Sequence, residues 1–529
     1  MQQFATLFEK IDQIQSTNQK VDHLKAYFAT CSKEDGAWAL FFLSGKKLKR
    51  SISGKVLLQW CSEVASLPLW LAEESYAAVG DTAEAVSLLL PQEKQTKENN
   101  RSLADWVENS VKPLQGLSPD LQKKEILSFW STLTTKEIFL LNKILTGSFR
   151  VGISALLTLK GLSLASGISR ELLSQRLMGN WEPTASFFSS LFSTEEDDKK
   201  LNPYPFCLAY GLDADLETLG NPADWVTEWK WDGIRAQAVI RNGEAALWSR
   251  GNELISEQFP DLLSPLLSLT PGSVLDGEIV AYEEGRPLPF AELQKRLGRK
   301  NVSKSFLEKY PVAYIIYDLL EQQGQDIRKL PLCERRQRLK ALVGDHEKLF
   351  LSQEIGENRW QTVKELRLTS RQHAAEGIML KKQNSLYGVG RQKGYWWKYK
   401  VDPLTIDAVL IYAKAGSGRR ANLFTDYTFG VWQDQELVPI TKAYSGLDQK
   451  EINALDHWIR RHTEEKFGPV RKVQPFQVFE IAFEGIQLSK RHKSGVALRF
   501  PRILRWRKDK PYQECDSLAI IMETFFHEK

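Results

Sequence analysis

The sequence has few cysteines and no long apolar run, and each shortage excludes a class of protein. Its five cysteines lie far apart along 529 residues without a C-x-x-C pair, which argues against a zinc ribbon or a disulfide framework. No stretch approaches the roughly 18 apolar residues of a membrane span. The N-terminal MQQFATLFEKIDQIQ has early acidic residues and lacks the apolar core of a signal peptide. We therefore expect an intracellular protein that operates in a reducing compartment and has no membrane partner.

Two common catalytic motifs are also missing. The S-G-K-V segment at 53–56 lacks the upstream glycine and the following Ser or Thr of a phosphate-binding P-loop, and no H-E-x-x-H zinc motif occurs. The seven histidines are scattered, so surface or core roles are the simplest interpretation. If the chain uses a nucleotide, it does so without a P-loop.

The overall composition is that of an ordinary globular protein. Hydrophobic residues make up 42% and charged residues 26% of the chain. The net charge of +5 is compatible with a polyanionic partner, although it is weak evidence for one. The length favours roughly two to four domains.

Helical patterning dominates the first part of the chain. Residues 4–11 place apolar side chains at the i, i+3, i+4, i+7 spacing of one buried helix face. A T-x-x-E capping box at Thr134 and Glu137 predicts a helix that ends at Gly147, with a further helix starting near Val151. This part is predicted to be all-α.

The rest of the chain is rich in predicted strands. After a charged and proline-containing linker at 193–205, β-rich segments interleave with helical stretches such as 333–343, which predicts an α+β domain built on antiparallel sheets. From residue 403, about five short strands and one helix, capped by Asp448 and closed by Gly468, indicate a β-barrel of the OB type. The predicted domains are 1–195 (helical), 200–402 (α+β) and 403–529 (OB-fold).

One short motif near the middle of the chain combines unusual chemistry. In K-W-D-G-I-R, residues 230–235, a lysine is followed by an acidic residue, a glycine suited to a sharp turn, and an arginine that could hold a nucleotide. A lysine amine attacks phosphorus only when neutral, so cations, a metal or desolvation must lower its ordinary pKa of about 10.4. A solvated surface lysine is the alternative, because this motif alone also arises by chance.

Further candidates follow in the same predicted domain. Glu278 is a carboxylate among apolar neighbours, and Glu376 is a candidate oxygen ligand for Mg²⁺. Tyr317 could stack on a base or be a plain core tyrosine. Strand alternation places Lys398 and Lys400 on one face, where an anion such as phosphate would relieve their repulsion.

Taken together, these motifs resemble those of the covalent nucleotidyltransferases, which are the DNA ligases, the RNA ligases and the mRNA capping enzymes. The ordered set comprises K-W-D-G-I-R (230–235), S-R-G (249–251), L-D-G-E (275–278), Y-D (317–318), E-G-I-M-L-K (376–381) and W-K-Y-K (397–400). The R-K-D-K at 507–510 is similar to the last motif of ATP-dependent DNA ligases. Residues 145–163 resemble the helical DNA-binding domain of replicative-type ligases, and residues 203–209 look most like the bacterial members.

The resemblance implies a role for each matching residue. Lys230 corresponds to the lysine that becomes adenylated by ATP, and Glu228 to the residue that reads the adenine amino group. Glu278 and Glu376 correspond to ligands of Mg²⁺ (or Mn²⁺). The family's G-R-R element appears here as Gly390-Arg391-Gln392. Contacts to the nucleotide or its phosphates are implied for Arg235, Arg250, Glu278, Tyr317, Arg391, Lys398, Lys400, Arg507, Asp509 and Lys510.

The resemblance also implies a substrate and a setting. It predicts a monomeric ligase, cytoplasmic and nucleoid-associated in a bacterium, whose three domains encircle nicked duplex DNA and which serves DNA replication, repair or recombination. Basic residues that could meet DNA phosphates, or could equally be solvated surface charges, are Lys46, Lys47, Lys49, Arg50, Arg150, Lys490, Arg491 and Lys493.

Other functions remain open at this point. An RNA ligase or a GTP-using capping enzyme shares the six motifs, although a capping enzyme needs no large helical DNA-binding domain. A catalytically silent DNA-binding scaffold is an alternative from another class. An NAD-dependent ligase is disfavoured because that family has a four-cysteine zinc site which this chain lacks.

Overall fold

The computed structural model describes residues 1–14, 16–91, 101–147, 149, 152–179, 181–193, 201–299, 302–355, 359–416 and 420–526. Arg150, a predicted DNA contact, lies outside them. Residue contacts divide the chain into two units, one of 1–27, 38–155 and 402–529 and one of 28–37 and 156–401. The chain has a helical N-terminal region, a central α+β domain and a C-terminal OB-like sheet, as predicted, while the exact domain bounds stay a prediction.

The N-terminal region is helical throughout its described part. Its α-helices are α1 (Gln2–Gln13), α2 (Thr17–Thr30), α3 (Lys33–Leu43), α4 (Gly54–Val64), α5 (Leu69–Val79), α6 (Thr82–Leu89), α7 (Leu103–Trp106), α8 (Pro119–Thr132), α9 (Thr135–Thr146), α10 (Ala155–Ser166), α11 (Arg170–Arg176) and α12 (Ala185–Ser190). Among the described residues, no helix has the length and apolar character needed to cross a membrane.

Local sequence signals explain several of these helices. The apolar residues of α1 are buried, as the spacing predicted. The capping box of Thr134 and Glu137 begins α9, and Gly147, with a φ of 64°, ends it. The next helix begins at Ala155 rather than near Val151, a residue outside the described part. Gly152 has a φ of 62°, and this left-handed conformation excludes a helix that runs through residue 152.

The central domain consists of two main sheets with helices around them. Its strands are β1 (Cys207–Leu208), β2 (Tyr210–Gly211), β3 (Trp225–Trp231), β4 (Ile234–Arg241), β5 (Glu244–Ser249), β6 (Ser273–Glu283), β7 (Arg286–Pro287), β8 (Val312–Gln322), β9 (Gln325–Asp326), β10 (Leu349–Leu351), β11 (Ala375–Lys382), β12 (Gly390–Arg391) and β13 (Trp396–Lys400). Its helices are α13 (Pro260–Leu267), α14 (Phe290–Gln294), α15 (Lys304–Lys309), α16 (Leu332–Val343) and α17 (Trp360–Thr369).

The sheets are mostly antiparallel, which agrees with the predicted α+β class. The larger sheet has the order β10-β8-β6-β4-β5, and the smaller one has the order β2-β13-β11-β3. Only β10 with β8, β13 with β2, and β1 with β12 pair in parallel among the described strands. Strand β4 follows β3 after a tight turn. The chain therefore passes from the small sheet to the large one at the K-W-D-G motif.

The register of the small sheet sorts its side chains onto two faces. Glu228 on β3 lies opposite Met379 on β11, which lies opposite Lys398 on β13, so these three share one face. On the other face, Trp397 and Tyr399 pack with the core around Trp229, Ile378 and Trp360. The aromatic face is therefore buried in a core, and the opposite face is available for polar side chains.

The C-terminal part contains more elements than predicted. Its described elements are β14 (Leu404–Ala415), β15 (Phe424–Gln433), β16 (Glu436–Ala443), α18 (Gln449–Arg461), β17 (Thr463–Phe467), β18 (Val470–Val473), β19 (Val478–Phe483), β20 (Gly485–Leu488), β21 (Val496–Arg499), β22 (Arg502–Trp506) and α19 (Leu518–Phe526). The expectation of about five strands and one helix was too low. The long strand β14 pairs with β15, β18 and β19. Several of the other strands are short and joined by tight turns, so the sequence pattern does not show where one strand ends and the next begins.

One predicted helix end in this part was wrong. Asp448 and Glu451 do form the capping box that begins α18, but the helix ends at Arg461 rather than at Gly468. Gly468, with a φ of 55°, instead forms the turn between β17 and β18. A glycine suits a hairpin turn as well as a helix end, because both need a left-handed residue.

Candidate active site

Lys230 lies near the end of β3, directly before the turn into β4. Gly233 occupies that turn where a Cβ atom would lie 2.3 Å from the carbonyl oxygen of Ile279 and 2.8 Å from Cγ of Glu278. Only a glycine allows the turn to lie this close to β6. The glycine of the motif therefore brings Lys230 next to the carboxylate of Glu278 on the other sheet.

Two lysines share one carboxylate at this point. Lys230 Nζ donates a hydrogen bond to Oε2 of Glu376 at 2.5 Å, and Lys400 Nζ lies 3.2 Å from the same oxygen. Burial by itself raises the pKa of Glu376, but the charges of Lys230 and Lys400 outweigh it and hold the pKa at about 2. The Glu376 carboxylate is thus charged, and it orients the Lys230 side chain.

Glu278 has the opposite protonation behaviour. Burial raises the pKa of Glu278 to about 8, even though the charges of Lys230 and Arg235 lower it. The Glu376 charge raises this pKa further. Two carboxyl groups beside the same lysine therefore differ strongly in acidity.

Cationic residues from four predicted motifs surround Lys398. Burial lowers the pKa of the Lys398 amine, and the charges of Lys400, Lys230, Arg391 and Arg250 lower it further. Arg250 and Arg391 are exposed, whereas Lys398 and Lys400 are half-buried. Such a group of like charges favours binding of a polyanion such as a triphosphate.

Glu228 is buried and paired with two cations. Its Oε1 accepts from Nη1 of Arg336, and its Oε2 accepts from Nζ of Lys381 at 2.8 Å. Arg336 lies on α16 and was not predicted as a site residue. The sequence contained one signal for Arg336, its position directly after Arg335. Arg335 forms a buried bidentate ion pair with Asp318, which anchors α16 to β8.

Arg235 and Tyr317 meet at a second buried carboxylate. Arg235 forms a bidentate ion pair with Asp276 at 3.1 and 2.7 Å, and its guanidinium lies 5.8 Å from the Tyr317 ring. The hydroxyl of Tyr387 donates to Asp276 at 2.6 Å. Tyr317 is only 8% exposed, and the Lys381 ammonium lies 3.8 Å from its ring centroid. Asp276, Tyr387 and Lys381 had no predicted role.

The last predicted motif forms its own cluster in the C-terminal part. Arg507 Nη1 and Lys510 Nζ both donate to Oδ2 of Asp407, at 3.0 and 2.7 Å. Arg507 also pairs with Asp509, which is held at a pKa of about 2 by that hydrogen bond. Asp407, at the start of β14, was not predicted as a site residue.

The predicted DNA contacts within the described residues lie in two loops, and all of them are exposed except the half-buried Lys46. The loop between α3 and α4 contains Lys46, Lys47, Lys49 and Arg50, and next to it the amide of Ser51 donates to the Leu145 carbonyl oxygen at 3.3 Å. The second set lies in the turn between β20 and β21 and comprises Lys490, Arg491 and Lys493, all exposed.

Family models match three parts of the chain. Residues 1–163 match the DNA ligase N terminus, residues 208–400 the ATP dependent DNA ligase domain, and residues 420–510 the ATP dependent DNA ligase C terminal region. All the predicted site residues of the central domain fall within the second match.

Relatives match over the whole length as well. A "Probable DNA ligase" of Koribacter versatilis is 31% identical and the alignment covers 100% of this chain and 98% of that protein. "DNA ligase 1" of Korarchaeum cryptofilum is 28% identical over 99% of this chain and 98% of its own length. The solved structure "Pmar-Lig_PreS3" has a TM-score of 0.62 at 15% identity, with 95% of this chain and 99% of that one covered, and so shares the fold. The central motifs lie around Lys230, the family models match all three parts of the chain, and a probable DNA ligase is 31% identical over the full length of this chain. The chain therefore belongs to the ATP-dependent DNA ligases.

Proposed function

We propose that this chain seals nicks between a 5′-phosphate and a 3′-hydroxyl in duplex DNA, through an adenylate formed on Lys230. The observation that carries the proposal is the position of the Lys230 amine. It is held by Glu376 and is surrounded by the positive charges of Lys398, Lys400 and their arginine neighbours. An amine nucleophile next to a cluster of positive charges, which binds phosphates, is the arrangement needed for attack on the α-phosphate of a nucleotide.

The reaction has three transfers at phosphorus. The Lys230 nitrogen forms a bond to the α-phosphorus of ATP, and the bond to the bridging oxygen breaks, releasing pyrophosphate. The AMP group then moves to the 5′-phosphate of the nick, restoring the lysine. Finally the 3′-hydroxyl oxygen attacks that 5′-phosphorus and displaces AMP. Lys398 and Lys400 balance the charge that develops on the α-phosphate.

The nucleotide contacts of the other motifs belong to the same proposal. Glu228 reads the base and Tyr317 stacks on it, while Arg235, Arg250 and Arg391 contact ribose and phosphates. Arg507, Asp509 and Lys510 orient the leaving pyrophosphate in the first step. Because the C-terminal domain must also bind DNA, we expect it to move between steps.

Glu278 and Glu376 fit a divalent cation, Mg²⁺ or Mn²⁺. Both offer carboxylate oxygens, the ligands that hard cations prefer, beside the same lysine. Within the described ranges, no three acidic, histidine or cysteine side chains group as a metal site. Mg²⁺ in nucleotide sites is commonly bound by one or two carboxylates together with the substrate phosphates. When bound, the ion neutralises charge on the phosphates.

The DNA substrate is proposed to be encircled by the three domains of a monomer in the bacterial nucleoid. The basic loops at 46–50 and 490–493 would contact the phosphate backbone on either side of the nick. Loss of affinity with rising salt would then scale with the number of those contacts.

Incubation with α-labelled ATP tests the proposal. We expect a protein–AMP adduct that maps to Lys230 and is lost in Lys230→Ala, together with nick sealing. Lys382→Ala is the matched control, because Lys382 lies on β11 one residue from Lys381 and so points to the other face. An adduct formed only with GTP, or sealing retained by Lys230→Ala, would contradict the proposal. Nicked DNA and RNA-containing duplexes assayed side by side distinguish a DNA ligase from an RNA ligase.

A further inference from the structure

Two cations hold both groups that are expected to meet the base. Arg336 and Lys381 each donate to one oxygen of Glu228, the expected base-reading carboxylate. The same two cations touch Tyr317, the expected stacking residue: Arg336 Nη1 donates to its carbonyl oxygen at 3.3 Å, and Lys381 lies over its ring. The carboxylate and the ring are thus held in one fixed relation.

The Arg336 guanidinium is itself anchored. Besides Glu228 and the Tyr317 carbonyl oxygen, Nη2 donates to the Ser352 carbonyl oxygen at 3.0 Å, and Nε lies 3.3 Å from Oε1 of Glu354. Arginine donors form a rigid fork, so these acceptors determine where the group can lie. Because its N–H groups donate to these protein acceptors, few of them remain to donate to a bound base.

The environment of this network is buried. The side chains of Glu228 and Lys381 are each 1% exposed, and that of Arg336 is 15% exposed. Lys381 also lies 4.7 Å from the Trp396 ring centroid, so it has little room to move. Each oxygen of Glu228 accepts a hydrogen bond from a fixed cation, so the further lone pairs of these oxygens are what the group offers to a bound base.

We propose that Arg336 is a positioning residue for base selection. Together with Lys381 it holds Glu228 as an acceptor-only carboxylate, so that the site takes a purine with an amino group at position 6 and rejects a 6-oxo purine. The adenine amino group is a donor, whereas the oxygen at the same position of guanine or hypoxanthine is an acceptor. This inference rests on the proposed role of Glu228 in nucleotide binding.

The test compares ATP with inosine triphosphate, which differs from ATP in its 6-oxo group. The measurement is kcat/KM for adduct formation on Lys230 with each nucleotide, in wild type and in Arg336→Met. We expect kcat/KM for ATP to fall about tenfold to hundredfold, as for loss of a hydrogen bond to a charged group, with a smaller change for inosine triphosphate. The ratio of kcat/KM for ATP to that for inosine triphosphate should therefore be lower in Arg336→Met than in wild type. Arg338→Met, on the exposed side of the same helix, is the matched control and should keep the wild-type ratio.

The ratio separates positioning from general support of the fold. If both nucleotides lose the same factor in Arg336→Met, Arg336 only stabilises the domain and the inference is overturned. Should that variant fail to fold, Arg336→Lys and Lys381→Met replace it, and a wild-type ratio in both would equally overturn the inference. A wild-type protein that forms no adduct with any nucleotide would instead contradict the proposed function.

Discussion

Two carboxylates of this chain each bind two cations, but at different depths. Glu228 in the central domain is 1% exposed and pairs with Arg336 and the equally buried Lys381. Asp407 in the C-terminal part is 13% exposed and pairs with Arg507 and Lys510, which are 21% and 19% exposed. The same chemical arrangement therefore occurs in a dry and in a partly hydrated environment.

The difference in depth suggests a difference in use. When a buried ion pair separates, each charge is left without water to solvate it. The cost of separation therefore keeps the Glu228 network in one geometry. Around Asp407, water and the 67% exposed Asp509 can replace a lost partner of Arg507. These two environments match the roles proposed above, a fixed base site at Glu228 and a C-terminal motif that engages for a single step.

The largest expected effect is on stability. Glu228→Ala should lower the free energy of unfolding by about 3–5 kcal/mol, because it removes the ion pair of the buried Lys381 and leaves Arg336 with the exposed Glu354 alone. Asp407→Ala should cost about 1–2 kcal/mol, since its partners stay hydrated. Urea unfolding followed by tryptophan fluorescence measures both, with Glu354→Ala, the 56% exposed second partner of Arg336, as a near-neutral control. Equal losses for Glu228 and Asp407 would remove the basis of the comparison.

Backbone packing at the deep site gives the next effect. Gly233→Ala should cost about 1–3 kcal/mol and slow adenylation, because the new Cβ would overlap the Ile279 carbonyl oxygen and push Lys230 out of place. Gly211→Ala in β2, where no atom lies within 4 Å of a new Cβ, is the control. The same urea and adduct assays apply, and a Gly233→Ala protein with wild-type rates would show that the turn tolerates a side chain.

At the shallow site we expect an effect on one reaction step. Asp407→Asn removes the charge that orients Arg507 and Lys510, so Lys230 adenylation by ATP should slow about tenfold, the equivalent of about 1.4 kcal/mol. Sealing of a nick that already has a 5′-adenylate should change little. Asp434→Asn, in the turn between β15 and β16, is the control. An equal loss in both steps would mean that Asp407 has only a structural role.

A separate effect, on pH dependence rather than on a single contact, is expected at Glu278. The folded pKa of about 8 exceeds the ordinary value of 4.5, so its contribution to stability is fully present below pH 4.5 and is lost as the pH rises to about 8. Glu278→Gln cannot ionise, and its free energy of unfolding should fall less than that of wild type between pH 5 and 8.5. Urea unfolding at pH 5 and pH 8.5, with a chelator present to remove divalent cations, measures both free energies. An equal decrease in wild type and in Glu278→Gln would contradict the prediction.

Several features could be predicted from the sequence because their signals are local. Residues 397–400 of β13 alternate between aromatic and basic side chains, as expected for a strand, and the capping boxes at Thr134 and Asp448 begin α9 and α18. The C-terminal strands were undercounted, because which partner a strand pairs with does not appear in its own residues.

The partners of the predicted residues were decided by tertiary structure alone. Arg336 lies 108 residues from Glu228, Lys381 lies 153 residues from it, and Arg507 lies 100 residues from Asp407. A single sequence determined the order of the motifs and the chemistry they bring, since both are written in short segments. Which cation meets which carboxylate, and how deeply, depends on how distant strands and helices pack, because burial and pairing are properties of the whole fold.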